Sequence, residues 1–339
     1  MPELPEVETV VRELNRKLTG RTIKSVEVRV SKLIGIGPEG LGNKREETRA
    51  KGKTFEKLLK GKKVLGVKRR AKLLIFSFAT TAKTLSVPMR YRDISPIQLR
   101  QGFVGRGGGE EDLKMLVHLK MTGQFIFEDK VLKKKTGSKY KVLNKHSAPL
   151  VQLPGKHTHV IFQFTDGSTL YYNDVRKFSY LKLVKANELL QVQELNDYGP
   201  EPLSKDFGLF PFLTAVTKRN KVSIKQVLMD NRVVVGIGNI YSDEILFLAG
   251  IRPARLASNI TNKELTKIYN QIKPVLLQGI KTKGSSVGDF IRTDGSWGSM
   301  GKFHYVYGRR KQLCKLCGTI IESVKLGGRT GSFCPKCQK

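Results

Sequence analysis

The sequence contains no apolar run long enough to cross a bilayer, and it has only four cysteines among its 339 residues. Because a spanning helix needs about 20 consecutive apolar residues, this absence excludes a helical membrane protein. The first residues are acidic and include prolines, unlike the basic and apolar start of a secretory signal peptide. We therefore expect a protein of the reducing cytoplasm that is not embedded in a membrane.

Acidic residues are also scarce: Asp and Glu number 29 against 62 Lys and Arg, which gives a formal net charge of +33. Such an excess of one sign repels itself and attracts polyanions, of which nucleic acid is the first candidate. The alternatives are a generally basic protein and one that binds an anionic membrane surface. The length suffices for two or three domains with hydrophobic cores.

The cysteines follow the pattern C-x2-C-x16-C-x2-C, at Cys314, Cys317, Cys334 and Cys337. This spacing lets two knuckles present four thiolates tetrahedrally to one zinc ion. Two disulfides are the alternative, but the two-residue spacing is tight for an ordinary bridge, and the chain shows no export signal. With four protein ligands, the predicted zinc site is structural rather than hydrolytic. Basic residues surround it, which indicates a finger that meets phosphate.

The chain begins with the letters MPELPEVE. Because proline is small, we expect Met1 to be removed, which leaves Pro2 with a free secondary amine. An amine can attack an electrophilic carbon to form an iminium, and a neighbouring carboxylic acid can protonate a leaving group. The alternative is a plain helix start, since proline suits the first turn and acids suit the positive helix end.

Hydrophobic periodicity divides the chain into a β-rich half and a helical half. Apolar residues from Val7 to Leu18 repeat at helical spacing and predict an N-terminal helix. Strand patterns follow, including a strand at 73–78 and a hairpin around Asp166-Gly167. The second half of the chain has helical patterns at 223–230, 240–249 and 262–281.

Two segments, 79–112 and 133–146, show neither pattern. The second carries six lysines and no acidic residue, so we predict a basic loop there. In this interpretation the loop adds nonspecific electrostatic affinity for a nucleic-acid backbone. The alternative is that its lysines are simply a run of solvated charges.

Four motifs occur in one order along the chain: PELPEVE at the start, Arg69-Arg70-Ala71-Lys72, VVGIGNIY at 234–241, and the final four-cysteine finger. Together they closely resemble the bacterial formamidopyrimidine-DNA glycosylases, within the wider family that includes endonuclease VIII. The resemblance implies a DNA repair glycosylase that also cuts at the resulting abasic site. Its partner would be double-stranded DNA containing oxidised bases or abasic sites, bound by a monomer that is associated with the nucleoid.

The resemblance also implies the fold, which is α+β with three domains. An N-terminal helix and a catalytic β-sandwich would occupy 1–183. A helix–two-turn–helix DNA-binding domain with a lesion-covering loop would occupy 184–301, and a C-terminal β-hairpin zinc finger would occupy 302–339. The lesion-covering loop corresponds to 284–301, which is rich in glycine and serine, so we predict disorder after Arg292 when DNA is absent.

The resemblance assigns the chemistry to five residues. Pro2 would attack the sugar C1′ of the damaged nucleotide and form a Schiff base, while Glu3 acts as general acid during base loss. Glu6 would orient or hydrogen-bond the reacting sugar, and a helix-dipole acid is the equal alternative. Lys72 would donate a proton in β-elimination and contact the phosphate beside the lesion. Arg329, in the finger, is linked to δ-elimination and phosphate clamping.

Four further residues match DNA-contacting positions of the family, and three more, Lys221, Lys225 and Asn239, are predicted DNA contacts from their basic or helix-start character alone, with an N-cap as the alternative for Asn239. An everted base leaves a void in the stack, and the family's void-filling trio matches Met121, Arg176 and Phe178. Core packing is the alternative for the two apolar members of this trio. Contacts to the DNA backbone would come from His157, Lys221, Lys225 and Asn239, of which Asn239 also stands at a helix start whose free amides could grip phosphate. The residue before Arg176 is Val175, where the family has proline.

The leading prediction is a base excision repair enzyme that removes 8-oxoguanine and formamidopyrimidines and cuts the strand by β,δ-elimination. PELPEVE and the trio favour this purine type over the endonuclease VIII type, which prefers oxidised pyrimidines. A catalytically silent DNA-binding protein and a zinc-finger RNA-binding protein are alternatives from other classes. The first is disfavoured because Pro2, Glu3, Lys72 and Arg329 are intact, and the second leaves the N-terminus unexplained.

Overall fold

A computed structural model describes residues 1–39, 45–79, 112–130, 139–140 and 151–339, without the side chains of 45, 46, 139, 140, 151 and 152. Most of the two segments without a sequence pattern, 79–112 and 133–146, therefore lies outside the described residues, and the basic loop stays a prediction. In the parts of the chain that are described, no helix has the length and apolar character that a bilayer crossing requires.

The chain divides into two compact units. Unit 1 consists of Met1–Pro2, Val7–Asn196 and Gly288–Gly298, and unit 2 consists of Glu3–Glu6, Asp197–Val287 and Ser299–Lys339. The β-rich unit thus extends to Asn196, beyond the predicted end at 183. The segment Gly288–Gly298, which we predicted within the helical domain, groups with unit 1.

Helix α1 (Leu4–Leu18) opens the fold, and its first three residues group with unit 2. Its apolar positions from Val7 to Leu18 are buried as their periodicity predicts, and Gly20, at φ +86°, follows the end of the helix. Unit 1 also contains α2 (Arg45–Leu59) and the short α3 (Gln193–Asn196). Helix α2 was not predicted, because few of its positions are apolar.

The strands of unit 1 form two main sheets and one separate pair. In chain order they are β1 (Ile23–Val28), β2 (Ile34–Ile36), β3 (Lys63–Arg70), β4 (Leu73–Ala79), β5 (Leu113–His118), β6 (Gly123–Glu128), β7 (Lys139–Tyr140), β8 (Val151–Gln152), β9 (Thr158–Phe164), β10 (Thr169–Asp174) and β11 (Tyr180–Lys185). One sheet has the order β1-β9-β10-β6 and the other β2-β11-β5-β4-β3, while β7 pairs with β8. Within the two main sheets β2 and β11 are parallel, and the other pairs are antiparallel.

The two main sheets share one hydrophobic core, to which strand alternation contributes large apolar side chains from each. Phe162 and Tyr172 come from one sheet and Phe76 and Val117 from the other, and all four are buried. The predicted hairpin is confirmed as β9 and β10, with Gly167 at φ +86° in the turn. The β-sandwich prediction is confirmed by this arrangement.

Unit 2 is built on α4 (Leu209–Thr217), α5 (Ile224–Met229), α6 (Asn239–Ala249) and α7 (Asn262–Lys281). Capping boxes begin two of them: Ser223 with Gln226 at α5, and Thr261 with Glu264 at α7. These helices confirm the helical patterns of the sequence. Their apolar faces form a second core, separate from that of unit 1.

The finger follows as a hairpin of β12 (Glu322–Leu326) and β13 (Arg329–Phe333) with a cysteine knuckle on either side. Helix α6 and the residues after it hold both ends of this module. The Glu244 carboxylate accepts the amides of residues 305, 306 and 307 at 2.8–3.0 Å. At the other end, the buried Gln338 side chain donates to the Ile251 carbonyl and accepts the Cys334 amide, both at 2.8 Å.

The predicted disorder after Arg292 is wrong, because a buried carboxylate of α1 anchors this segment. Glu13 accepts the Arg292 guanidinium at 2.7 Å, and the Thr293 amide and hydroxyl at 3.1 and 2.8 Å. The Thr293 carbonyl accepts the Phe127 amide at 2.9 Å. Glycine and serine content suggested a loose chain, but it carried no information about a partner as remote in sequence as Glu13.

We expect Glu13→Ala to release the segment Gly288–Gly298 from unit 1. Loss of these charge-assisted hydrogen bonds should raise amide hydrogen exchange in the segment on the order of tenfold. Mass-spectrometric exchange would measure it, with Glu27→Ala as control, since that carboxylate is 56% exposed and pairs only locally with Arg29. Unchanged exchange in Glu13→Ala would contradict the anchoring role.

Candidate active site and nucleic-acid interface

The carboxylate of Glu3 lies at the N-terminus of helix α6, in unit 2. It accepts the amides of Gly238 and Ile240 at 2.8 Å each and that of Tyr241 at 3.3 Å, and the residue is 2% exposed. The first turn of a helix has amides without helical partners, and its dipole favours a negative charge. Glu3 therefore caps a helix that begins 236 positions further along the chain, at Asn239.

Two glycines make the approach of the N-terminal segment possible. A β-carbon on Gly238 would lie 2.4 Å from the Glu3 carboxyl carbon, and one on Gly236 would lie 2.7 Å from the Leu4 side chain. Gly236 also has φ +84°, a conformation that other residues rarely adopt. Its carbonyl accepts the Leu4 amide at 2.9 Å. The glycines of VVGIGNIY thus serve the placement of Glu3.

Both carboxylate oxygens of Glu6 accept hydrogen bonds from protein groups. One oxygen accepts the Tyr241 hydroxyl and the Ser285 amide at 2.7 Å each, and the other accepts the Glu3 amide at 2.9 Å. Burial raises the pKa of Glu6 to about 7, and the charge of Glu3 adds to this increase. The expected contact of this side chain with a sugar is contradicted by its 1% exposure and its full set of partners. Glu6 instead fixes the backbone at Glu3.

Pro2 is buried, and Met1, which precedes it, is 46% exposed. In the same unit, Lys72 is 6% exposed in the two-residue connection between β3 and β4, just before the strand that the sequence predicts. The first residue of that connection, Ala71, has φ +55°. Two-residue hairpin loops favour a positive φ at this position.

His118 is an additional candidate beside Lys72. It pairs with Leu73 across β4 and β5, and its Nδ1 accepts the Lys120 amide at 3.0 Å, which leaves Nε2 to carry the proton. Burial and then the charge of Lys120 lower the pKa of His118 to about 4, and Lys72 acts in the same direction. It was not among the predicted site residues, because a single histidine in a strand pattern carries no chemical signature.

The structure brings the predicted trio together on the surface of unit 1. The guanidinium of Arg176 donates to the Met121 sulfur at 2.9 Å and lies over the Phe178 ring, 4.7 Å from its centroid. Phe178 is 58% exposed, which excludes the alternative that it belongs to the core. The three side chains together form a wedge with an apolar edge and a bidentate donor.

A buried carboxylate that the sequence did not point out shapes the loop that carries this wedge. Asp174 accepts the Arg176 amide at 3.1 Å, the Ser179 amide at 3.0 Å, and the hydroxyls of Ser179 and Thr122. Burial raises the pKa of Asp174, but these hydrogen bonds outweigh that effect and leave the pKa below its ordinary value. Asp174 therefore fixes the shape of this loop, in which Val175 precedes Arg176.

The remaining predicted DNA contacts differ in their surroundings. Lys221 is exposed and His157 is half-buried. Asn239 is the first residue of α6, but the N-cap is Gly238, and three of the amides there already bind Glu3. The expectation of free amides for phosphate is therefore wrong for Gly238, Ile240 and Tyr241.

Lys225 is not available for a phosphate contact, which corrects the prediction. Its ammonium donates to the Asp243 carboxylate at 2.5 Å, the Ser242 hydroxyl at 3.0 Å and the Asn239 carbonyl at 3.1 Å, and the side chain is 1% exposed. The sequence could not distinguish a surface lysine from one that α5 buries against α6.

The same buried pair helps to place Arg329. Asp243 also accepts the amide of Ser332, in the finger hairpin, at 2.9 Å. A β-carbon on Gly327, in the hairpin turn, would overlap the Nε2 atom of the Gln226 side chain, so the turn sits directly against α5. Arg329 follows this turn, exposed, as the first residue of β13.

The four cysteines form one cluster with the dimensions of a zinc site. The sulfurs of Cys314 and Cys337 are 3.9 Å apart and those of Cys317 and Cys334 are 3.5 Å apart, and all four lie within 4.8 Å of one another. A tetrahedron with Zn–S bonds of about 2.3 Å has edges of about 3.8 Å. Disulfides are excluded, since a bonded pair would be about 2 Å apart. The residues therefore fit one structural zinc ion, as predicted.

Comparison with known proteins agrees with this geometry. The formamidopyrimidine-DNA glycosylase N-terminal domain matches residues 1–181, the H2TH domain of the same proteins matches 198–290, and the zinc finger found in FPG and IleRS matches 311–339. A formamidopyrimidine-DNA glycosylase of Bacillus licheniformis is 36% identical over 339 residues, which is 100% of both chains. The chain belongs to the formamidopyrimidine-DNA glycosylase family.

Solved structures of similar proteins contain DNA. A complex between Lactococcus lactis Fpg and DNA with an abasic site has a TM-score of 0.73 and 29% identity, and the match covers 99% of each chain. A structure of MutM in complex with DNA containing carbocyclic 8-oxo-G has a TM-score of 0.73 and 30% identity over 100% of each chain. The predicted family and fold class are confirmed.

We expect Gly238→Ala to expel the Glu3 carboxylate from the N-terminus of α6, because the added methyl group and the carboxyl group cannot share the space. Loss of hydrogen bonds to a buried charge should lower the free energy of unfolding by about 3 kcal/mol, measured by urea denaturation. Gly288→Ala is the matched control, since nothing lies within 4 Å of its added β-carbon. Equal stability of the two variants would contradict this account of Gly238.

Proposed function

We propose that this chain is a bifunctional DNA glycosylase and abasic-site lyase of base excision repair, which removes 8-oxoguanine and formamidopyrimidines from double-stranded DNA. The observation that carries the proposal is the Glu3 carboxyl group, held by three backbone amides next to the one proline that can become an N-terminal amine. Such a substrate places the enzyme with the DNA in the cytoplasm.

The first reaction is base loss. After Met1 is removed, the neutral Pro2 nitrogen forms a bond to C1′ while the bond from C1′ to the base breaks. The departing base and the O4′ of the opening sugar ring each take up one proton; Glu3 supplies one, and the Pro2 nitrogen releases the other as the iminium forms. The amides of α6 stabilise the carboxylate that remains on Glu3. Because Pro2 is a secondary amine, the product after ring opening is a permanently charged iminium.

The second reaction is strand cleavage. The iminium withdraws electrons, so C2′ loses a proton to solvent, a C2′–C3′ double bond forms, and the C3′–O bond breaks to release the 3′ phosphate in β-elimination. Lys72 contacts this phosphate and donates a proton to it as it departs. Arg329 assists δ-elimination and clamps phosphate from the finger. A zinc ion would be held by the four cysteine thiolates and would supply structure only, since all four ligand positions would be filled by the protein.

The wedge of Met121, Arg176 and Phe178 serves base eversion. Turning a nucleotide out of the duplex costs a few kcal/mol of stacking and pairing, and filling the void offsets part of that cost. The two apolar side chains fill the space, and Arg176 can donate two hydrogen bonds to the orphaned base. Lys221, His157 and Asn239 are left as contacts to the DNA backbone.

The test is cleavage of a duplex with a single 8-oxoguanine opposite cytosine, compared with undamaged and thymine-glycol duplexes. We expect release of the oxidised base and a cut at the lesion. Glu3→Gln should lose base release by a factor on the order of 100 or more, because the proton donor is absent, while it still cuts a preformed abasic site.

Two results would contradict the proposal. Activity on thymine glycol alone would indicate an enzyme of the endonuclease VIII type. Binding to both damaged duplexes without release of either base would indicate a DNA-binding protein without chemistry.

A further inference from the structure

A buried ion pair in unit 1 has no part in the chemistry described above. The Glu8 carboxylate, on α1, accepts the Arg69 Nε at 3.0 Å, and each side chain is 1% exposed. Burial of two charges is unfavourable unless their geometry and remaining hydrogen bonds compensate. Because the pair lies close in sequence to predicted catalytic residues, we expect it to contribute to their placement.

The second arm of the same guanidinium reaches the connection that carries Lys72. Arg69 Nη1 donates to the Ala71 carbonyl at 2.9 Å. Ala71 has φ +55°, which an alanine adopts only at a cost, so the surroundings must hold it there. The planar fork of Arg69 thus joins α1 to the backbone immediately before Lys72.

We propose that Glu8 and Arg69 are positioning residues for the Lys72 ammonium. Lys72 follows Ala71 directly, so the orientation of its side chain depends on the peptide that Arg69 holds. The inference rests on the proposed role of Lys72 in strand cleavage. It also gives the third carboxylate of PELPEVE a purpose separate from those of Glu3 and Glu6.

Glu8 also pairs with a second, exposed arginine. Its second oxygen accepts the Arg12 Nε at 2.6 Å, one helical turn further along α1. Arg12 is 51% exposed, whereas Arg69 is buried. Arg69 reaches the connection through the Ala71 carbonyl, whereas Arg12 lies on α1 itself, so the two arginines form a matched pair for mutation.

Arg69→Lys is the decisive variant, because lysine keeps the positive charge beside Glu8 but has no rigid fork to hold both Glu8 and the Ala71 carbonyl. On a duplex with a preformed abasic site, borohydride trapping reports Schiff base formation and strand cleavage reports elimination. We expect trapping at the wild-type rate and cleavage slowed on the order of 100-fold. Arg12→Gln, the control, should leave both rates unchanged.

If Arg69→Lys does not fold, Glu8→Asp provides a second variant. It keeps the negative charge but shortens the side chain by one methylene group, which moves the carboxylate away from Arg69. It should show the same selective loss of cleavage. Wild-type cleavage in a folded variant, or equal loss of trapping and cleavage, would overturn the positioning role. Absence of trapping and cleavage in the wild type would instead overturn the proposed function.

Discussion

The hydrogen bonds from the N-terminus of α6 to the Glu3 carboxylate are the constraint on which the site depends. Three amides of one helix turn hold a single buried carboxylate, and through it the peptide that follows Pro2. Glu6 reinforces this placement by accepting the Glu3 amide. The helix can receive Glu3 only because positions 236 and 238 have no side chain. Glu3, the proposed proton donor, is therefore held by a helix more than 200 residues away along the chain.

Buried carboxylates that accept backbone amides recur elsewhere in this chain of net charge +33, in which acidic residues are few. Asp174 holds the loop of the wedge, Glu13 holds the segment Gly288–Gly298, and Glu244 holds the start of the finger. In each case a buried carboxylate accepts backbone amides from a segment with no regular hydrogen bonding of its own. Basic residues can then dominate the surface that meets DNA, while these buried acids remain paired with backbone amides.

Much of the fold and the chemistry could be predicted because the signals are local. The cysteine spacing, the helical periodicity of α1 and the β9–β10 hairpin each depend on neighbours in sequence, and each is confirmed. The errors concern partners that are distant in sequence. Lys225 looks like any surface lysine until α6 covers it, and the segment after Arg292 looks loose until Glu13 is seen. Asp174 and His118 were missed for the same reason.

If Pro2 forms the covalent intermediate, borohydride reduction during reaction with an abasic duplex should attach the DNA remnant to the N-terminal nitrogen of Pro2, in protein from which Met1 has been removed. Mass spectrometry of the modified peptide would locate the attachment. A form with a blocked N-terminus should give no adduct. Attachment to a lysine, or trapping that survives the block, would show that Pro2 is not the nucleophile.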